Sequence, residues 1–140
     1  CDLNSDGKLR DLLYVDGGVS RTGTAGALRM QGNLVFRHAV EKLAATANRV
    51  LDKAGLAPTQ VDWLVPHQAN LRIITGTAQK MGLPLERVVL TVADHGNTSA
   101  ASIPLALAVA DREGRFKQGD VVLTEATGGG MSWGSVVLRW

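Results

Sequence analysis

Two segments of the chain read alike: an apolar stretch of strand length, a short polar turn, then apolar residues at helical spacing. The first runs from Val61-Asp62-Trp63-Leu64-Val65 through Pro66-His67-Gln68-Ala69-Asn70 into a helix predicted over Asn70 to Met81, with Leu71, Ile74, Ala78 and Met81 on one side. The second predicts a β-branched strand over Arg87 to Val92, a polar turn over Asp94 to Asn97 and an Ala-rich helix over Thr98 to about Arg112. Such a repeat constrains the fold strongly, because strands that point the same way need a helical crossover and a sheet built from them is covered on both faces. It also puts His67 and Asn97 in corresponding connections, and ligands in such sheets gather outside the carboxyl ends of the strands.

The rest of the chain fits the same α/β class. Asn33 is a candidate cap for a long helix reaching about Ala54, since Phe36, Val40, Leu43, Ala47, Val50 and Ala54 recur at helical spacing and Gly55 can stop it. Asp120 to Ala126 and Ser135 to Leu138 read as two further strands, joined by a loop over Thr127 to Gly134 that can bring bare backbone close to a ligand. Cys1-Asp2-Leu3 reads as the end of a strand and Asn4-Ser5-Asp6-Gly7 as a turn. The expected sheet is mixed and mostly parallel, lying between helices. A start without Met or a charged-then-apolar leader reads as that of a fragment, with the missing part expected from a neighbouring polypeptide.

Composition narrows the function classes. The chain has 140 residues, enough for a real core, and a net charge of +2 from nearly balanced acids and bases. There is no basic run interleaved with aromatics, so no nucleic-acid footprint is expected. No apolar stretch approaches the roughly 20 residues of a membrane span, and one cysteine, Cys1, excludes an internal disulfide, so a cytoplasmic setting fits. Metal binding is not expected, because His67 and His95 lack a Cys or carboxylate at ligand spacing.

His67, just before a helix start, is expected to be a neutral imidazole that donates one hydrogen bond. Asn97 offers amide hydrogens at a similar helix entry, and two preorganised donors converging on one oxygen are what an enolate or thioester oxyanion needs. Singly, each has an ordinary structural explanation as a satisfied histidine or a turn residue; their repeated setting points to function. The Gly128-Gly129-Gly130 run is neither a P-loop nor a dinucleotide fingerprint and is read as a tight turn. His38 is read as a surface residue and His95 as structural.

VPHQANLRI at Val65 to Ile73, HGNTSAASIPLAL at His95 to Leu107, GGGMSWGSVVLRW at Gly128 to Trp140 and QGNLVFRHAV at Gln31 to Val40 together resemble the C-terminal half of a β-ketoacyl-acyl-carrier-protein synthase III, of the thiolase superfamily. The resemblance spans almost the whole chain. It implies a thiolase-like half-domain over residues 1–140 of an acyltransferase of fatty-acid biosynthesis, which condenses an acyl-CoA primer with malonyl-acyl carrier protein as carbon dioxide is lost. By position His67 and Asn97 match the family's enolate-stabilising pair, and the nucleophilic Cys belongs to the N-terminal half. Cys1, beside a hairpin-like turn, does not match that nucleophile. Gly129 matches the glycine whose N–H joins an oxyanion hole, and Gly32 and Asn33 match a stretch lining the pantetheine channel.

The resemblance further makes Arg37, Arg72 and Lys80 the basic rim that receives the carrier protein and CoA phosphates, with Gln68 and Asn70 bracing the His67 loop. No cofactor is implied, since CoA and carrier-protein thioesters are substrates. The implied partners are the N-terminal half, acyl carrier protein, acyl-CoA and a second copy in a homodimer, and the fragment alone is expected to be inactive. One departure is Thr127, where many members carry a Phe that shields the malonyl carboxylate from water. Two other readings stay open: a ketosynthase-like acyltransferase of a specialised pathway, and a non-catalytic half-domain that binds CoA or carrier protein.

Overall fold

The computed structural model describes residues 1–140 as β1 (Asp2–Ser5), β2 (Leu13–Val15), α1 (Val19–Thr22), β3 (Leu28–Met30), α2 (Gly32–Lys53), β4 (Trp63–Pro66), α3 (Leu71–Met81), α4 (Val92–His95), α5 (Ser102–Arg112), β5 (Val121–Gly128) and β6 (Ser132–Arg139). One sheet is ordered β1-β6-β5-β4, and a separate two-stranded ribbon pairs β2 with β3.

Strand β5 shows how sequence becomes layers. Successive strand side chains point to opposite faces. Val121 and Leu123 accordingly join Ala47, Val50 and Leu51 of α2 and Ile74, Ala78 and Met81 of α3 in one core, and the intervening Val122 joins Ala106 and Ala110 of α5 in a second. Leu123 is fully buried; burying such a side chain stabilises by about 2–3 kcal/mol. Ala at 44, 47 and 78 lets the helices approach closely at the first core. The two helical layers thus come from one period-2 pattern read on both faces.

The α/β class and the mixed sheet are as expected, but the balance of the sheet is not. Only β4 and β5 pair in parallel, while β5–β6 and β6–β1 are antiparallel. The reason is the short connection after β5: a tight Gly129–Met131 turn sends the chain straight back, and only an antiparallel return is possible over so few residues. Gly130, at φ 131° and with Ser132 Oγ 2.8 Å from where a Cβ would stand, can be only glycine there. The strands flanking that turn therefore run further into it than the sequence predicts.

Four further boundaries differ. The segment Arg87 to Val92 is not a ladder strand: Leu85–Arg87 is a 3₁₀ turn and a single bridge joins Val88 to Leu64. The carboxamide of the buried Gln68 takes the place of further ladder bonds, donating to the carbonyls of Pro66 (2.8 Å) and Val89 (3.1 Å) and accepting from Thr91 N–H (2.8 Å). Helix α2 is capped at Gln31, with Asn33 already inside its first turn. Asn4 and Ser5 are strand residues because Asp2 through Ser5 pair with Ser132 through Ser135, and Asp6 instead caps a 3₁₀ helix over Gly7–Leu12. The helix predicted from Thr98 begins as a 3₁₀ turn over Ser99–Ala101 before α5 starts at Ser102.

β1 is held down by charge. The Asp2 carboxylate meets Lys53 Nζ at 2.6 Å, Thr46 Oγ1 at 2.6 Å and Arg49 Nη2 at 2.8 Å on α2. The Lys53 ammonium foremost, with Thr46 and Asn4, holds its carboxyl well below the usual carboxylate range. Cys1 itself is exposed and precedes the strand.

Candidate active site

β4 and β5 run side by side, β4 ending at Pro66 opposite Glu125 and β5 continuing to Gly128, and both C-terminal ends line a cavity of about 1090 Å³. His67 follows directly on β4. Its N–H donates to Glu125 C=O at 2.8 Å, which extends the parallel pairing by one bond and fixes the backbone from which the imidazole projects. The ring is half-buried, and Nδ1 lies 2.5 Å from Ser102 Oγ on the first residue of α5. Burial lowers its pKa, so the imidazole is neutral at pH 7. Sequence reasoning expected a neutral ring from the helix dipole; desolvation is the cause found in the structure.

Asn97 lies between α4 and α5 and lines the same cavity. Gly96, at φ 63° and ψ −161°, turns the chain out of α4 just before it. Ser99 N–H donates to Asn97 Oδ1 at 3.0 Å, and Ser99 holds a positive φ of 52° to do so. With the amide oxygen occupied by the scaffold, the NH₂ end of Asn97 is the end left for a ligand. His67 and Asn97, about thirty residues apart in sequence, therefore face one space.

The third wall is the Thr127–Gly130 turn. The Gly129 N–H meets no acceptor within the chain, and Gly129 lines the cavity. A Cβ on Gly129 would stand 3.1 Å from Leu13 O, so the turn and the strand β2 approach each other backbone to backbone. Thr127 also lines the cavity, its hydroxyl donating to Ser132 C=O at 3.2 Å.

The remaining predicted residues separate. Gly32 borders the cavity, whereas Asn33 is exposed away from it; Val35 and Phe36 of the same helix supply the wall, because the inward face of α2 falls on those positions. Asn70 borders the cavity and caps α3, its Oδ1 accepting from Arg72 N–H at 2.9 Å. Arg72 is exposed with its guanidinium 5.3 Å from the ring centre of Phe36, a residue that lines the cavity. Lys80 lies eight residues further along α3, roughly 12 Å down the axis from Arg72. Arg37 is exposed on α2, and none of Arg37, Arg72 and Lys80 borders the cavity. Gln68 is the bracket between β4 and the Val89–Thr91 segment described above. His95 is exposed outside the cavity, and His38 is half-buried rather than on the surface.

Several cavity residues were not anticipated. Leu13, Tyr14 and Val15 of β2 with Leu28 and Met30 of β3 form an apolar wall, and Arg10 adds a cation beside it. Ser102 and Glu125 are the other two. Glu125 is 1% exposed, neither carboxyl oxygen has a partner in the chain, and burial pushes its pKa up to about 8, so the acid is mostly neutral at pH 7. Its signal in the sequence is an acid placed inside the apolar run Val121-Val122-Leu123-Thr124-Glu125-Ala126. No group of three His, Cys, Asp or Glu is placed to hold a metal ion, and no helix is long and apolar enough to cross a membrane.

A neutral imidazole, a primary amide and a free backbone N–H around a largely apolar cavity can hold a developing negative oxygen, but they include no nucleophile. Comparison with known proteins gives the family of the chain. The sequence profile described as "3-Oxoacyl-[acyl-carrier-protein (ACP)] synthase III C terminal" matches residues 51–140. The chain is 79% identical over 139 residues to the β-ketoacyl-[acyl-carrier-protein] synthase III of Paracoccus denitrificans and 72% identical to that of Ruegeria pomeroyi, covering 99% of this chain and 43% of each relative. It superposes with a TM-score of 0.92 and 47% identity on the crystal structure of 3-oxoacyl-(acyl carrier protein) synthase III from Pseudomonas aeruginosa PAO1, covering 99% of this chain and 43% of that one. The chain thus spans less than half the length of the relatives it matches. An α/β half-fold with a donor-lined cavity at the ends of its parallel strands, matched over most of its length by that profile, belongs to the 3-oxoacyl-[acyl-carrier-protein] synthase III family as its C-terminal half.

Proposed function

We propose that residues 1–140 form the C-terminal half-domain of a condensing enzyme that joins an acyl-CoA primer to malonyl-acyl carrier protein and so initiates fatty-acid synthesis. In this reading the N-terminal half carries the cysteine that holds the acyl group. Decarboxylation of the malonyl thioester breaks the bond to the carboxylate, and the electron pair left behind becomes an enolate. His67 Nε2–H and Asn97 Nδ2–H donate to its oxygen, and the enolate carbon then attacks the acyl-cysteine carbonyl, forming the carbon–carbon bond as the C–S bond breaks and the cysteine thiolate leaves. Gly129 N–H supports the oxyanion of the earlier step, in which the acyl group passes from CoA to that cysteine. Carbon–carbon bond formation needs no redox or metal cofactor.

The observation that carries the reading is the convergence of His67 and Asn97 on one cavity, with the Asn97 oxygen already engaged by Ser99 N–H. Gly32 and Phe36, which line the cavity, fit a pantetheine arm, and the exposed Arg72 with Arg37 fits the phosphates and acidic surface of a carrier protein; such charges act mainly on encounter rate and fade with salt. High identity to relatives named β-ketoacyl-[acyl-carrier-protein] synthase III favours it over a specialised-pathway ketosynthase. The test is to join or mix the chain with the N-terminal half and follow carbon dioxide release from malonyl-carrier protein. Release by the combination and by neither half alone is expected. Full release by an N-terminal half without this chain would overturn the proposal.

A further inference from the structure

Which nitrogen of His67 carries the proton decides whether the ring can donate into the cavity. A neutral imidazole has one N–H, and the hydrogen bond made at one nitrogen sets the state of the other. His67 Nδ1 is turned away to Ser102 Oγ at 2.5 Å. That hydroxyl has one further partner, Gln68 N–H at 3.3 Å, and both it and Gln68 are buried from solvent.

A backbone N–H can only donate, so at Gln68 the hydroxyl oxygen accepts. The hydroxyl proton then has a single destination, the lone pair of His67 Nδ1. The opposite arrangement, with Nδ1–H donating to Ser102, would leave the hydroxyl accepting twice and its own proton buried without an acceptor, which native interiors avoid. We propose that Ser102 is the positioning residue that fixes the His67 proton on Nε2, relaying the fixed direction of the Gln68 N–H through its hydroxyl to Nδ1. Gln68 thus acts twice, since its side chain holds the loop between β4 and the Val89–Thr91 segment while its main chain orients the serine. Asn97 is treated in the same manner by Ser99 N–H, so the scaffold spends one hydrogen bond on the acceptor atom of each ligand-facing group.

The inference rests on the enolate-stabilising reading of His67. The experiment is nitrogen-15 NMR on the complete enzyme labelled at histidine, with the His67 signal assigned by its disappearance in His67→Ala. An Nε2–H ring is expected in the unaltered enzyme. In Ser102→Ala the signal should move toward a tautomer mixture and malonyl decarboxylation should fall roughly tenfold, less than the 10²–10³ of deleting a donor outright. Ser102→Thr, which keeps the hydroxyl, should restore both. A proton on Nδ1 in the unaltered enzyme, or an unchanged Nε2–H ring with an undiminished rate in Ser102→Ala, overturns the inference. If the alanine variant does not fold, the first of these measurements still decides. His67→Ala with undiminished decarboxylation would instead sink the functional reading, whatever the tautomer.

Discussion

Glu125 is the residue whose chemistry departs furthest from its ordinary state. A carboxyl without partners, buried against the site, stays protonated up to about pH 8, whereas unfolded it ionises near 4.5. Between those values the folded chain binds more protons than the unfolded one. Stability from this group is therefore full below about 4.5 and is lost as pH rises through about 8. The slope is at most roughly 1.4 kcal/mol per pH unit. Urea unfolding at a series of pH values should show that decline and should show it flattened in Glu125→Gln; equal slopes in the two proteins would contradict the assignment. At this scale the sequence was uneven. His67 and Asn97 stand out because each interrupts the boundary between an apolar strand and a helix. Ser102 and Glu125 do not, because one sits in an Ala-rich run that reads as packing and the other inside a strand that reads as apolar. Both look structural until the residues opposite them are known.

Among the elements, the bracket made by Gln68 couples fold and site. Three backbone groups from two segments depend on one buried carboxamide. Gln68→Ala would strand the Val89 carbonyl and Thr91 N–H and release the loop that carries His67. Leaving buried polar groups unpaired costs about 1–3 kcal/mol each, so a loss of about 3 kcal/mol is expected in equilibrium unfolding, along with a lower turnover in the folded fraction. A loss under about 1 kcal/mol would mean that water or a shift of the segment replaces those bonds. The same bracket explains why the second predicted strand failed to appear. Arg87 to Val92 has the composition of a strand, but its backbone partner after Leu64 is a side chain, and no pattern of propensities shows that. The β2–β3 ribbon was missed for another reason: its strands are three residues each, separated by twelve, too short and too far apart for a periodicity argument.

Across the whole molecule, the strand–turn–helix repeat was enough to give the α/β class and to place His67 at the end of β4, whereas Asn97 reaches the same cavity from the connection between α4 and α5 and not from a strand end. It could not give the balance of parallel and antiparallel pairing, because that is set by the short Gly129–Met131 return and by β1 adding to the far edge. Nor could it give the apolar wall of the cavity, which comes from a ribbon remote in sequence. What the half-molecule contains is a set of donors without a nucleophile, and this division predicts that the two halves of the reaction separate. In the proposed function, charge stabilisation during decarboxylation falls to His67 and Asn97, and acyl transfer from CoA to cysteine to the other half with Gly129. The most direct measurement compares the two partial reactions in the complete enzyme carrying Asn97→Ala or His67→Ala. Carbon dioxide release from malonyl-carrier protein should fall by about 10²–10³ while acylation of the enzyme by acyl-CoA continues at close to its original rate. Decarboxylation at the original rate in either variant would contradict the account.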